Sequence, residues 1–160
     1  MKGINITPTR LAAQWAHAAH KFQINVHNFE VKAGQAAVEV FQVSFDMQRL
    51  NSRNSAHWAG WQGSYVGHGS LMNETGTLRN SIKVKSIKKN KITIHTDPAA
   101  FSSSARHKGF CYAKVHNNLS KLAVKPGRGP KKERQFIGYS TVLDEKIKEL
   151  INHVFDGLPR

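Results

Sequence analysis

The chain predicts an α+β fold: a small antiparallel sheet containing a hairpin, packed against two or three amphipathic helices. Three observations lead there. Residues 29–49 carry apolar and small side chains at helical spacing, residues 141–156 do the same, and residues 82–96 alternate apolar and polar on either side of a lysine-rich turn. At 160 residues the chain has the length of one domain with a core of its own. It is read as a single domain 1–160 with N-terminal helices over 1–50, a Gly/Trp loop over 51–70, a turn and hairpin over 71–97, mobile basic loops over 98–138, and a C-terminal helix over 139–157.

Thr7 is placed to cap a first helix over 7–20, with Pro8 at its first position and Leu11, Trp15 and Ala18 along one side. Phe22, Ile24 and Val26 then alternate, which predicts a short extended connector as readily as more helix. In the second helix, Ala33, Ala36, Ala37, Val40, Phe41, Ser44 and Phe45 form one stripe. Its small residues allow another element to come close, and Gly34, at a cost of roughly 1 kcal/mol relative to Ala, has to be held by tertiary packing.

Residues 51–70 read as a loop in which Trp58 and Trp61 stand among glycines. The glycine spacing does not match a phosphate-binding loop. Thr75 and Gly76 predict a turn, and Leu78 to Ser81 a helical turn. Ile82–Ile87 and Ile92–Thr96 then pair as a hairpin across Lys88-Lys89-Asn90-Lys91. Ile82, Val84, Ile92 and Ile94 form its apolar face, which must lie on something because an isolated hairpin is marginal in water. Lys83, Lys85, Lys88, Lys89 and Lys91 form the other.

Residues 98–108 read as a polar insertion, and 112–117 as a short segment with one helical turn. From 120 to 135 the chain is basic and full of breakers (Lys121, Lys125, Pro126, Gly127, Arg128, Gly129, Pro130, Lys131, Lys132, Arg134), a mobile loop. Phe136 and Ile137 return to the core, with a further strand possible there. In the last helix Thr141 and Asp144 suggest a capping box, Leu143, Ile147, Leu150, Ile151, Val154 and Phe155 a buried stripe, and Gly157 with Pro159 the stop.

Twenty-four Lys and Arg against ten Asp and Glu point to an acidic partner: nucleic acid, an acidic protein surface or an anionic membrane. The single cysteine, Cys111, excludes an internal disulfide, and the absence of an apolar signal-like run leads to an expectation of a reducing cytoplasm. No run reaches the roughly 20 apolar residues of a membrane span. Among nine histidines, His17 and His20 lack a matching ligand pair, and the spacing of His107, Cys111 and His116 matches no closed zinc pattern. Cys111 with His107 or His116 is the candidate nucleophile and base of an enzyme reading. Between Glu74 and Glu133 only Asp97 is acidic, which speaks against paired-carboxylate or two-metal chemistry. No catalytic residue, metal ligand or cofactor is assigned. The two basic clusters, with the tryptophans as stacking faces, suit binding to phosphates without sequence readout.

The features follow one another in a distinctive order. The Trp-bearing loop leads to Thr75-Gly76-Thr77-Leu78-Arg79-Asn80-Ser81-Ile82 and the lysine-bearing hairpin. Tyr112-Ala113-Lys114-Val115-His116-Asn117, Arg134-Gln135-Phe136-Ile137-Gly138 and a final amphipathic helix then follow. From about Trp58 to Phe155 this order resembles the phage virion morphogenesis family, the tail-completion proteins of tailed bacteriophages and prophages. The chain departs from the family with Asn118 and Leu119 where a glycine is usual, and with Gln135 where a proline is usual.

The resemblance implies a non-enzymatic neck-ring subunit at the tail-head junction, assembled in the bacterial host cytoplasm and retained in the virion. Its partners would be other copies of itself and other neck or tail proteins, with DNA passing through the channel and no membrane involved. Thr75, Gly76, Leu78, Arg79 and Ser81 would shape the approach to the hairpin. Tyr112, His116, Arg134, Phe136 and Gly138 would act as scaffold. The loops 97–111 and 120–135 would order against partners. The alternative is a stand-alone basic domain that binds nucleic acid without sequence specificity.

Overall fold

The computed structural model describes residues 7–58, 72, 76–88, 90–101, 113–117 and 133–158. Its spine is helix α1, Pro8–Met47, whose 40 residues extend about 60 Å. Thr7 Oγ1 accepts a hydrogen bond from Arg10 N (3.3 Å) at its start, and Gln48 adopts a left-handed conformation (φ 51°) at its end. Of the two readings open at 22–26, connector or more helix, the structure has helix. No proline or glycine interrupts the chain between Pro8 and Gly34, so propagation continues through Phe22, Ile24 and Val26 at little cost. The Asn25 side chain joins this part of the helix to the C-terminal segment, donating to Val154 O (3.0 Å) and Asp156 O (3.2 Å).

The stripe in the second half of α1 is buried as the periodicity predicts, from Ala33 through Phe45. In the first half Ala18 is buried, but Leu11 and Trp15 remain 44% and 61% exposed. Against the buried stripe lies the hairpin: β1 (Ile82–Lys88) and β2 (Lys91–Thr96), antiparallel. Ile82 stands opposite Thr96, and Val84 opposite Ile94. A bulge at Lys85 and Ser86 then shifts the register, so that Ile87 stands opposite Ile92. The apolar positions 82, 84 and 87 break strict alternation, and the extra residue sets Ile87 opposite Ile92, where it remains 36% exposed. At Gly34 the two elements come close, since a Cβ there would lie 3.1 Å from Val84 Cγ2 and 3.5 Å from Ile92 Cγ2.

Preceding the hairpin, α2 (Thr77–Asn80) starts from Gly76 in a left-handed conformation (φ 68°) and buries Leu78 completely. After the hairpin, Asp97 accepts a hydrogen bond from Ala99 N through Oδ1 (3.0 Å), starting a 3-10 turn over Pro98–Phe101. Phe101 is fully buried. The segment expected as a polar insertion, and a loop expected to be mobile from 97, thus begins with a core anchor. A short helix α3 (Ala113–Asn117) contributes Ala113 to the same core, another ordered piece of the stretch expected as mobile loops.

The last helix, α4, spans Thr141–Asn152 and continues as a 3-10 turn over His153–Phe155. Its N-cap is Ser140, not Thr141: Ser140 Oγ accepts from Leu143 N (3.2 Å). Thr141 instead bonds the loop after α1, accepting from Arg53 N (2.9 Å) and facing Ser52 Oγ (3.2 Å). The expected buried stripe is only partly buried. Val154 is covered, whereas Ile151 is 42% and Phe155 59% exposed, because α4 meets α1 along a single line and nothing described covers its outer side. The turn ends at Gly157 (φ 70°).

Candidate functional site: a clipped core beneath a basic hairpin

Two motifs far apart in the sequence meet in the core. The backbone of Arg134 donates to His116 O (2.8 Å). Asn117 Oδ1 accepts from both Phe136 N (2.9 Å) and Ile137 N (2.8 Å), and Asn117 Nδ2 donates to Ile137 O (3.0 Å). A single amide therefore supplies what a neighbouring strand would supply, and residues 133–138 are held without strand pairing. This replaces the further strand expected near Phe136.

Aromatic packing fixes the other side of the segment. Phe136 is fully buried with its ring 5.1 Å from that of Phe45, which in turn meets Trp58 edge-on at 5.5 Å. Trp58 Nε1 donates to Gln135 O (2.9 Å). Trp58 is an anchor, as the loop reading predicts, but at 8% exposure it offers no stacking face to a base. Trp61 lies outside the described residues. At Gly138 a Cβ would meet the flexible end of the Gln135 side chain.

His116 is the one strongly shifted histidine of the site. Burial, reinforced by the positive Arg134, pushes its pKa down to about 4. It is neutral at pH 7. Arg134 is itself only 7% exposed, so it does not join the basic surface counted for the loop that it ends. Leu78 and Ser81 are fully buried, with Ser81 Oγ donating to Leu78 O (2.7 Å). Arg79 reaches back to α1, donating through Nε to Gln42 O (3.4 Å) and pairing with Asp46 (3.2 Å), while Gln42 Nε2 donates to Arg79 O (3.4 Å). Thr75 and Tyr112 lie outside the described residues.

Above this core the outer face of the hairpin is basic. Lys83, Lys85, Lys88 and Lys91 are all exposed. Lys83 pairs with Asp97 at 2.9 Å, and this contact, followed by the Ala99 N–H bond, holds the Asp97 carboxylate below its ordinary pKa. Among the described residues no ion pair involves Lys85, Lys88 or Lys91, so their charge is presented to solvent. Lys89, Lys121, Lys125, Arg128, Lys131 and Lys132 lie outside the described residues, as do His107 and Cys111.

Among the described residues no group of three or more His, Cys, Asp or Glu side chains stands together to hold a metal ion, and no helix is long and apolar enough to cross a membrane. Sequence reasoning singled out His116 and passed over Asn117, whose side chain carries the connection. The available signal was an amide at the end of a one-turn helix, where Asn readily bonds backbone groups. It also missed Ser140, which bonds Asn51 O as well as capping α4. Comparison of the chain with protein-family models, with curated proteins and with solved structures finds no match.

Proposed function

We propose that this chain is a structural phage protein acting in virion assembly at the tail-head junction, a tail-completion or neck-ring subunit. The reading starts from the ordered motifs of the sequence. The observation that carries it is the way those motifs converge: Leu78 and Phe136 share one hydrophobic core, Ser81 Oγ donates to Leu78 O, and the His116 carbonyl accepts from Arg134 N, so the described polar groups of the motifs hold backbone. Such residues position a surface for docking. The surface they position is the basic hairpin, whose Lys85, Lys88 and Lys91 suit DNA in a channel or the acidic face of a neck protein.

Electron microscopy of lysates from a phage or induced prophage lacking this gene tests the proposal. Filled heads beside unattached or aberrant tails, rescued by a complementing copy, are expected. Normally joined particles would sink it. A second reading, a basic domain that binds nucleic acid on its own, draws on the same three lysines. It requires binding to free DNA that weakens steeply with salt and is indifferent to sequence.

A further inference from the structure

The register of the hairpin sorts its side chains into two faces. Val84 and Ile92 look onto Gly34 of α1, and Ile94 packs on the core, so these positions mark the covered face. Alternation along β2 puts Lys91, Thr93 and His95 on the other. Across the ribbon Lys83 stands opposite His95, Ser86 opposite Thr93, and Lys88 opposite Lys91. Lys85, the extra residue between Val84 and Ser86, is exposed as well. The rungs of the open face are therefore built from lysine, hydroxyl and imidazole side chains, with no carboxylate and no apolar side chain among them.

Charge is graded along this face. At its base Asp97 neutralises Lys83 at 2.9 Å. Among the described residues no ion pair involves Lys85, Lys88 or Lys91, which follow toward the turn, where Asn90 has φ 60°. Ile87 beside them is 36% exposed, so this end of the ribbon projects from the core.

We propose that the open face of the hairpin, its free end leading, binds the phosphate backbone of double-stranded DNA. Duplex DNA is thereby named as the partner of the basic surface in the neck-ring reading, on which the inference rests. The composition of the face selects this partner. The middle of a protein interface is rich in aromatic and apolar side chains and poor in lysine, and these rungs are the reverse. A single strand is held by stacking its bases on aromatic platforms, but no rung carries Phe, Tyr or Trp, and Trp58 is buried. A duplex hides its bases and offers phosphates, which ammonium and hydroxyl donors meet directly. Of the two kinds of duplex, B-form DNA has a major groove wide enough for a two-stranded ribbon, whereas that of A-form RNA is deep and narrow. The rungs also lack Arg, Asn and Gln, the side chains that grip a base edge with two bonds, so binding is indifferent to sequence.

Fluorescence anisotropy of the full chain with a labelled DNA duplex, over a salt series, tests the inference. Three lysines on phosphates should give a plot of log affinity against log salt with a slope of at least about 2.7 in magnitude, a loss of roughly fortyfold between about 50 and 200 mM salt. Lys85→Gln, Lys88→Gln and Lys91→Gln should each flatten the slope by about 0.9, so that the same salt change costs about 3.5 times less. Lys83→Gln should flatten it less, because Asp97 already neutralises that side chain. Lys148→Gln removes an exposed lysine of α4 and should leave the slope unchanged. Urea unfolding checks that the variants fold.

A single strand of the same length, an RNA duplex and poly-glutamate, which stands for an acidic protein surface, should all bind more weakly than the DNA duplex. Equal or tighter binding of any of them overturns the choice of partner. Absence of duplex binding overturns the inference, and so does a Lys148→Gln variant that flattens the slope as much as the hairpin variants, since bulk charge would then account for it. If the hairpin slopes hold while phage lacking the gene makes normally joined particles, the assembly role falls and the DNA surface stands. Joining that still needs the gene, in a protein that binds no duplex, would do the reverse.

Discussion

Asn117 Oδ1 accepts two hydrogen bonds from consecutive backbone N–H groups, including that of Phe136 at 2.9 Å, and thereby fixes a core aromatic from a helix of one turn. Asn117→Leu removes the acceptor and leaves both N–H groups in a partly buried setting. It should cost about 2–4 kcal/mol. Asn117→Asp keeps the acceptor for both N–H groups but sets a carboxylate oxygen against Ile137 O where the amide donated, and should cost less, about 1–2 kcal/mol. Urea unfolding of the two variants checks the ranking, and equal losses would contradict the role given to Oδ1.

Gly34 tests the contact between α1 and the hairpin. With Val84 Cγ2 3.1 Å from a built Cβ, alanine has to push that methyl aside by a few tenths of an ångström while gaining roughly 1 kcal/mol of helix propensity. The two effects should nearly cancel. Gly34→Leu leaves no such balance and should destabilise by about 1–3 kcal/mol through overpacking. Thermal unfolding of the pair reads the difference.

The buried His116 predicts a pH dependence with a definite sign. Its folded pKa, about 4, lies below the ordinary 6.5, so between those values the unfolded chain binds the extra proton. Stability contributed by the neutral ring is complete above pH 6.5 and is lost as pH falls toward 4, with an upper size of about 3 kcal/mol. Asp97, held low by Lys83, adds its own loss only at more acidic pH. Urea midpoints between pH 7 and pH 4 should fall less steeply in His116→Gln than in wild type.

Ser140 has two duties, capping α4 at Leu143 N and bonding Asn51 O. Ser140→Ala should therefore cost about 1–2 kcal/mol, at the upper end for an N-cap. Thr141→Ala leaves that cap in place and should cost less. Reversal of this order in chemical denaturation would return the capping role to Thr141.

On the hairpin, Lys85→Glu, Lys88→Glu and Lys91→Glu alter exposed side chains only. The triple variant should unfold like wild type within about 0.5 kcal/mol and fail to rescue particle joining in a strain lacking the gene. Rescue at wild-type yield would remove the basic face from the assembly reading. Loss of folding would place these lysines in the stability of the hairpin.

The elements that rest on local chemistry were legible in advance. A Pro at the first turn after a Thr cap, a 3.6-residue stripe from Ala33 to Phe45, two alternating runs about a lysine turn and a Gly after the last helix each announce their structure through near neighbours alone. Gly34 was legible too, because a glycine within an apolar helical stripe calls for a close neighbour. The site was legible in part. Its motifs could be picked out, but Asn117 was hidden because its partners lie about twenty residues away in sequence, beyond any local pattern.

Tertiary structure decided the rest, for physical reasons that periodicity does not carry. Continuity of α1 through Phe22–Val26 follows from cooperative helix propagation and from the Asn25 bonds to a segment 129 and more residues away. The bulge between Val84 and Ser86 sets Ile87 opposite Ile92, a pairing across strands that no local pattern announces. Ser140 displaced Thr141 as the cap because Thr141 is engaged by the loop after α1. Which apolar residues are buried was decided in the same way. The sequence by itself determined that Leu11, Trp15, Ile151 and Phe155 lie on apolar helical stripes, whereas burial requires a second surface, and only the packing of α4 along α1 decided where that surface ends.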